Sequence, residues 1–374
     1  MKVERETAGF ALPFTAGVFL AAFSGLGISD YHIFSLIASL SLVVFCIFTL
    51  LHPVRKSFDA ITLWMLTATA ALSAGMICGF TAERLSLSTL ESAFSIRARE
   101  YGSAMQRSID SLPFSNSDCN ALAKALLTGD RSDVPGTVLT AFRDSGASHI
   151  LALSGLHLGI IYGIITFVTS IIGNSRRAKC IRALISISVC GFYTLSTGAG
   201  PSIVRAFLFI LLAEISRLTF RRTGTAQFLY ASLIIQLAIS PLSIRSAGFQ
   251  LSYAAMAGIA FIQPKLQGIW PGSIYRDRRP IRWVRKVWNT AALSISCQMT
   301  TAPLAYLHFG TFPSNFLICN LIALPLTGII IPASIITLLL HSLGICPDFA
   351  IHITERLISA LIDRYEGDAR RRGT

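Results

Sequence analysis

The chain has 374 residues, of which 53% are hydrophobic and 14% charged, and its mean hydropathy is +0.61. Soluble domains have about a quarter of their residues charged, so this composition excludes an ordinary soluble domain and predicts a membrane protein. The formal net charge of +13 does not by itself indicate a nucleic-acid ligand, because lysine and arginine also concentrate in the cytosolic loops of membrane proteins.

Long apolar runs recur along the sequence and predict about ten transmembrane helices. They lie at about 10–28, 31–51, 58–80, 148–173, 181–197, 201–219, 226–240, 247–263, 288–308 and 312–343. We therefore predict an all-α fold, a polytopic transmembrane helix bundle with short amphipathic surface helices. Most basic residues fall in loops that this topology places in the cytosol, which predicts a multi-pass inner (cytoplasmic) membrane protein with both termini cytosolic.

A polar stretch of mixed charge separates the third run from the fourth. Within it, residues 96–112 space apolar side chains at helical intervals with arginines opposite, which predicts a helix on the membrane surface. A second helix over 120–128 should end at Gly129, and Asp133 with Pro135 marks the start of a third. We divide the chain into 1–80, N-terminal transmembrane helices; 81–147, an outer (periplasmic) amphipathic segment; and 148–374, a transmembrane channel domain.

The junction between the outer segment and the fourth run holds His149, Ser154 and His157, which are costly in hydrocarbon. Ser154 and His157 are three residues apart and are therefore neighbours on one helix face, which raises serine hydrolysis as a hypothesis. No nearby acidic residue would orient the histidine and no GxSxG motif is present, so we disfavour a hydrolase. Glycines at four-residue spacing in the same run predict a face that another helix approaches closely. They are Gly155, Gly159 and Gly163.

Arg205 lies one turn after Pro201, near the outer end of a predicted span. Either its side chain reaches the headgroups, or it attracts phosphate together with the positive N-terminus of the helix, and the sequence leaves both open. Amides within other runs should face the bundle interior. Singly, each is best explained by hydrogen bonding between helices, but as a set they favour a hydrated path. They include Gln250, Gln298, Asn315 and Asn320.

Motifs for self-contained catalysis are absent from the sequence. There is no P-loop, no dense His/Asp cluster and no CxxC among the eight cysteines. We therefore expect no catalytic residues, no metal and no cofactor, and we expect that the chain is not an enzyme.

Several motifs resemble those of the ComEC-type competence protein family, over about 230 residues and in that family's order. They are GDR at 129–131, AFRDSGASHILALSGLHLG at 141–159, GPSIVRA at 200–206, PLSIRSAGFQLSY at 241–253, QMTTAPL at 298–304 and FPSNFLICNLIALP at 312–325. The resemblance implies an inner-membrane channel for uptake of single-stranded DNA in natural transformation. We expect this chain to lack the OB-like and metallo-β-lactamase-like domains usual in that family.

The expected partners are single-stranded DNA, membrane lipid and a separate nuclease, DNA receptor or cytosolic helicase, and the oligomeric state is left open. The residues we expect along the DNA path are Asp130, Arg131, His149, Ser154, His157, Arg205, Gln250, Gln298, Asn315 and Asn320. One alternative is a small-solute or proton-coupled secondary transporter in which Glu214 or His157 carries the proton. A second alternative is a non-transporting remnant of a larger DNA-uptake protein.

Overall fold

The computed structural model describes residues 2–23, 60–85, 93–144, 148–219, 223–269, 279–310 and 316–370, together with Leu40 and Val43. These residues are helical apart from short connections, and they include no strand. The all-α prediction is therefore confirmed. Fifteen helices over these ranges are α1 Lys2–Phe23, α2 Ala60–Leu85, α3 Ala93–Asp110, α4 Ser117–Thr128, α5 Gly136–Asp144, α6 Ser148–Leu151, α7 Gly155–Thr169, α8 Arg176–Ser196, α9 Pro201–Leu218, α10 Thr225–Ile239, α11 Ala247–Ala257, α12 Gln263–Gly268, α13 Arg279–Phe309, α14 Phe316–Ser342 and α15 Asp348–Arg370.

Four stretches within the described residues are long and apolar enough to cross a bilayer. They are Glu6–Phe23, Gly155–Ile172, Arg176–Ser196 and Leu324–Ser342. This is fewer than the ten spans that the sequence predicts. The predicted run at 31–51 lies outside the described residues except for Leu40 and Val43, and other described apolar helices are shorter or more polar. The helix α10 has only 15 residues, or about 22 Å of length, and α9 carries three charged residues in 18.

Two compact units divide the chain: residues 1–90 with 215–256, and residues 91–214 with 257–374. This division cuts across the three predicted segments, since 215–256 belongs with the N-terminal helices and the predicted outer segment belongs with most of the remainder. The three functional segments therefore stay a prediction, and they do not coincide with the units of packing.

In the first unit, α1 and α2 pack against each other through small residues. A Cβ added to Gly17 would lie 2.0 Å from the carbonyl oxygen of Leu72, and one added to Gly75 would lie 2.0 Å from that of Phe14. Contacts this short leave no room for any side chain, so backbone touches backbone as in small-residue membrane interfaces. The sequence places Gly75 and Gly79 at four-residue spacing, a pattern that our sequence analysis did not use.

In the second unit, a large core joins α3, α4, α5 and α6 to α14 and α15. Its fully buried side chains include Leu122, Phe142, Ile330, Ile358 and Leu361. Part of the apolar face of α3 packs on protein, since Ile109 is buried in this core and a Cβ at Gly102 would lie 2.3 Å from the carbonyl oxygen of Ser196 in α8. Tyr101 of the predicted apolar face is 63% exposed. The placement of this helix on the membrane surface therefore stays a prediction.

A smaller core in the same unit joins α7, α8 and α9. Leu158, Cys190 and Ile203 are buried at its centre, one from each helix. This core fixes the start of α7 next to the start of α9, and the predicted polar residues of both helices meet there.

Candidate functional site

The site begins at the end of α4, where Gly129 stops the helix. Its φ of 79° lies in the left-handed region that glycine favours, and its N–H donates to the carbonyl of Ala125 at 2.9 Å. A Cβ at Gly129 would lie 2.7 Å from the side chain of Leu153. The conformation and the close approach both require glycine, so the loop that follows is held against the start of α7.

The side chain of Asp130 stabilises the conformation of this loop through hydrogen bonds. Its carboxylate accepts the backbone N–H of Ser132 at 3.0 Å and the side-chain amide of Gln106 at 3.2 Å. The bonds from Ser132 hold the pKa of Asp130 below its ordinary value of 3.8, so this group is anionic at neutral pH. An anion that folds the loop is a structural element, and it would repel phosphate.

Arg131 joins the same loop to the short helix α6. Its Nε donates to the carbonyl of Leu151 at 3.0 Å, which satisfies one of the carbonyls left without a partner at the end of that helix. The side chain as a whole stays exposed. Arg131 is therefore positioned by one hydrogen bond while much of its surface faces outward.

Ser154 and His157 cap the N-terminus of α7. The hydroxyl of Ser154 accepts the N–H of Leu156 at 3.2 Å, and Nδ1 of His157 accepts the backbone N–H of Ser154 at 3.3 Å. An N–H can only donate, so Nδ1 of His157 is the acceptor in this hydrogen bond. The 3.1 Å approach of the serine hydroxyl to Nδ1 belongs to this capping box, and it explains the pair without catalysis.

Arg205 of α9 lies beside this capped N-terminus. The side chain is 8% exposed, and its Nη2 would lie 3.5 Å from a Cβ placed on Gly155. The guanidinium always carries its charge, and a helix N-terminus adds about half a positive charge. Together they form a buried electropositive centre, which we call the α7 cap site, comprising Ser154, Gly155, His157 and Arg205.

Tyr162 and Glu214 form a second polar contact between α7 and α9. The phenol of Tyr162 hydrogen-bonds to the carboxyl of Glu214, which is 3% exposed. A buried carboxyl in a membrane helix is costly unless it is hydrogen-bonded or protonated. The contact lies about two turns along α7 from the cap site.

One family model and two curated relatives match this chain. The family model described as competence protein matches residues 126–366, well over half of the chain. The chain belongs to the competence protein family. The matched region includes the loop at Gly129, the whole α7 cap site and most of α15.

Two curated relatives align with the chain. It is 29% identical over 238 residues to the ComE operon protein 3 of Bacillus subtilis (strain 168), covering 62% of this chain and 28% of that protein. It is 25% identical over 269 residues to the uncharacterized protein YcaI of Escherichia coli (strain K12), covering 71% of this chain and 34% of that protein. The chain thus spans about a third of the length of these relatives. No solved structure matches it.

Family membership together with the membrane-length apolar helices identifies a membrane protein. Of the predicted path residues, five converge around the α7 cap site and the loop that holds it. They are Asp130, Arg131, Ser154, His157 and Arg205.

Four other predicted path residues lie in the other compact unit or outside the described residues. Gln250 lies in the other compact unit, where its amide donates to the carbonyl of Ile244 at 2.9 Å. Asn315 lies outside the described residues, and the side chains of His149 and Asn320 lie outside them too.

Gln298 of α13 has features expected of a residue that lines the predicted path. Its Nε2 is buried and has no hydrogen-bond partner within the described ranges. The preceding residue, Cys297, lies within electrostatic range of Arg205. A buried amide nitrogen without a protein partner is costly unless a ligand or solvent accepts from it, so Gln298 fits a residue that faces a polar path.

The glycine spacing in α7 predicts a close approach that this part of the structure does not show. A Cβ at Gly155 would make ordinary contacts of 3.5 and 3.6 Å, and at Gly159 or Gly163 it would meet no described atom within 4 Å. Gly159 and Gly163 are exposed, which suits a face turned toward lipid. Within the described ranges, tight glycine contacts occur elsewhere, at Gly17 and Gly75 between α1 and α2, at Gly102 of α3 and at Gly258.

Lys124 is the charged residue that our sequence analysis missed. It is 9% exposed, and its Nζ lies 2.8 Å from Asp133 and 3.1 Å from Asp110. Hydrogen bonding to Asp133 raises the pKa of Lys124 above its ordinary value of 10.5. In the sequence, Lys124 lies between Ala123 and Ala125 in an otherwise apolar part of α4. This position was the available sign that its side chain is buried. Among the residues described, no group of three or more His, Cys, Asp or Glu could hold a metal.

Proposed function

We propose that this chain forms a membrane channel subunit through which single-stranded DNA passes inward during natural transformation. The observation that carries the proposal is the α7 cap site: a buried arginine beside a helix N-terminus, inside the region that matches the competence family. Phosphate is the ligand for which such a centre is best suited. The description of the matching family, competence protein, supports the same process.

In this proposal phosphates meet Arg131 at the loop and then Arg205 at the cap site. The imidazole of His157 holds the α7 N-terminus in place through the capping box and lines the path. Bases pass amides such as Gln298, whose buried nitrogen needs an acceptor. Asp130 has the supporting role of shaping the loop, which differs from the path role that the sequence predicts.

We further propose a multi-pass inner-membrane protein with about ten spans and both termini in the cytosol. The four membrane-length stretches and the basic residues of the predicted cytosolic loops support this topology. A separate nuclease, DNA receptor or cytosolic helicase is the proposed partner.

Transformation frequency tests the proposal in a strain whose gene is deleted and complemented with variants. Arg205→Ala should lower the frequency about 10- to 100-fold, the equivalent of one charge-assisted hydrogen bond. Arg205→Lys should retain part of the function because it keeps a positive charge. Gly159→Ala is the matched control, since its Cβ meets no described atom, and it should transform like wild type. Wild-type frequency from Arg205→Ala at normal protein level would refute the DNA role of this site.

A proton-coupled small-solute transporter is the second candidate, and the buried Tyr162–Glu214 contact favours it. In this function Glu214 would take up and release the proton that drives transport. Glu214→Gln keeps the shape and removes the titration. Solute uptake that collapses with Glu214→Gln, in cells whose DNA uptake is unchanged, would establish this candidate over the first.

A further inference from the structure

The helix α12 and the backbone just before it run antiparallel to α13. A Cβ at Gly258 would clash with the carbonyl oxygen of Ser296, and the indole N–H of Trp288 donates to the carbonyl of Leu266 at 3.2 Å. From the first contact to the second, each segment advances by the same number of residues in opposite directions. The register between the two segments is therefore constant.

Basic and aliphatic side chains are exposed together at one end of this pair. The register places Ile269, which follows α12, at the level of Arg285 on α13. Ile269 is 67% exposed and Val284 is 47% exposed. Three cations are exposed within about one turn of the same level. We call this group the α12–α13 tip; it comprises Lys265, Ile269, Val284, Arg285 and Lys286.

The sequence around the tip is strongly basic. Residues 264–287 hold seven Lys and Arg and one acidic residue, Asp277. In the part of this stretch that the structure describes, no acidic residue accompanies the three exposed cations. An anion is therefore the complementary partner.

The part of α13 that leads away from the tip is uncharged for about the thickness of a bilayer. Residues 287–309 contain no Lys, Arg, Asp or Glu. At 1.5 Å per residue they extend about 35 Å, which exceeds the roughly 30 Å of the hydrocarbon core. The charged beginning of α13 is then left at the level of the headgroups, with Trp288 at the boundary where tryptophan is enriched. This placement rests on the proposed topology and not on the DNA role.

Phospholipid headgroups and nucleic acid both carry the negative charge that the tip requires. A single strand is bound by cations together with aromatic rings on which its bases stack. The ring of Trp288 is half-buried, and its N–H already donates to Leu266. The exposed groups beside the cations are aliphatic, and aliphatic side chains suit the boundary between headgroups and acyl chains. The composition of the tip therefore favours lipid.

We infer that the α12–α13 tip binds anionic phospholipid headgroups at the cytosolic surface of the membrane. Its three cations contact the lipid phosphates, while Ile269 and Val284 enter the boundary with the acyl chains. Basic sites beside membrane helices on the cytosolic side bind anionic lipid in this way. Bound lipid then holds α12 and the start of α13 at the interface.

Quenching of Trp288 fluorescence tests the inference in the full chain. Trp288 becomes the single tryptophan when the other three, Trp64, Trp270 and Trp283, are replaced by phenylalanine. The protein is reconstituted in phosphatidylcholine vesicles that contain a minor fraction of brominated phosphatidylglycerol or, separately, of brominated phosphatidylcholine. Phosphatidylglycerol should bind beside Trp288 about 10- to 100-fold more tightly than phosphatidylcholine.

Two triple variants in the same single-tryptophan protein locate the preference. The tip variant combines Lys265→Gln, Arg285→Gln and Lys286→Gln. The matched control combines Arg97→Gln, Arg107→Gln and Arg143→Gln, at exposed positions of α3 and α5. Both remove the same charge, but only the tip variant should lose the preference for phosphatidylglycerol.

Equal quenching by the two brominated lipids, or equal loss of preference in both triple variants, would overturn the lipid site. Absence of quenching by either lipid would place the tip away from the membrane and would also overturn it. Fluorescence anisotropy of a labelled single-stranded oligonucleotide tests the other partner. A tip variant that loses oligonucleotide binding but keeps its lipid preference would make the tip a nucleic-acid site instead. These measurements need no DNA transport, so their failure is distinct from failure of the Arg205 test.

Discussion

Replacing Lys124 by methionine should destabilise the second compact unit substantially. The ammonium is buried between two carboxylates, at 2.8 Å from Asp133 and 3.1 Å from Asp110. The substitution keeps the length of the side chain, but it leaves two negative charges facing each other without the cation between them. The three residues tie α3, α4 and the loop before α5 together, so the loss falls on the elements that hold the α7 cap site.

The expected loss of unfolding free energy depends on how exposed Asp110 and Asp133 are. Breaking a fully buried ion pair costs about 3–5 kcal/mol, but the side chains of Asp110 and Asp133 are 47% and 54% exposed, so solvent screens part of the interaction. We therefore expect a loss of about 2–3 kcal/mol. For a unit of this size that corresponds to a fall of about 4–12 °C in the unfolding midpoint.

The assay is the midpoint of thermal unfolding of the purified protein in detergent, measured at one fixed heating rate. Lys179→Met is the matched control, because Lys179 is exposed on α8 and exposed substitutions change stability by about 0.5 kcal/mol or less. Lys124→Arg should recover most of the loss by keeping the charge. If Lys124→Met and Lys179→Met unfold at the same temperature, the ion pairs of Lys124 do not stabilise the fold.

Three other expected outcomes concern the same ion pairs and two of the glycines. Because the pKa of Lys124 is raised in the folded protein, its stabilisation is fully present below the unfolded value of 10.5 and is lost as pH rises through the higher folded value. The midpoint difference between wild type and Lys124→Met should therefore stay constant from pH 7 to about 10 and shrink at higher pH; a difference that shrinks between pH 7 and about 9 would contradict this. Gly129→Ala should lower the unfolding midpoint by several degrees, through its φ of 79° and the 2.7 Å approach to the side chain beside it, whereas Gly136→Ala, whose Cβ meets no described atom, should not; equal midpoints would refute the capping role. Gly75→Ala should disrupt the α1–α2 contact, since its Cβ would lie 2.0 Å from a carbonyl oxygen, and protease cleavage near α1 should increase; an unchanged digest would show that the contact tolerates the added Cβ and would contradict the close approach.

Local features could be predicted from the sequence where one residue determines the geometry. Gly129 ends α4 as expected, and Ser154 and His157 are neighbours at the start of α7 because three-residue spacing places them on one side of a helix. The gathering of Arg131 and Arg205 around that start was anticipated through shared family motifs. It could not be derived from spacing, because it depends on tertiary packing of α6, α7 and α9.

Other features could not be predicted because the pattern reports amphipathicity but not the partner. The periodicity of α3 predicts an amphipathic helix, but it cannot show that Gly102 lies against the backbone of α8. The segment 344–370 holds no long apolar run, so no element is predicted there, although its buried residues follow helical spacing and pack on α14. The four-residue glycine spacing of α7 is compatible both with close packing against another helix and with a face turned toward lipid. Only the three-dimensional contacts distinguish the two.

Import of radiolabelled duplex DNA tests the main claim most directly. Cells that express wild-type protein should accumulate DNase-resistant single-stranded label in the cytosol, and cells with Gly159→Ala should do the same. The deletion strain should accumulate none, and Arg205→Ala should accumulate about 10- to 100-fold less than wild type. Equal cytosolic label in the deletion strain and the wild type would contradict passage of DNA through this protein.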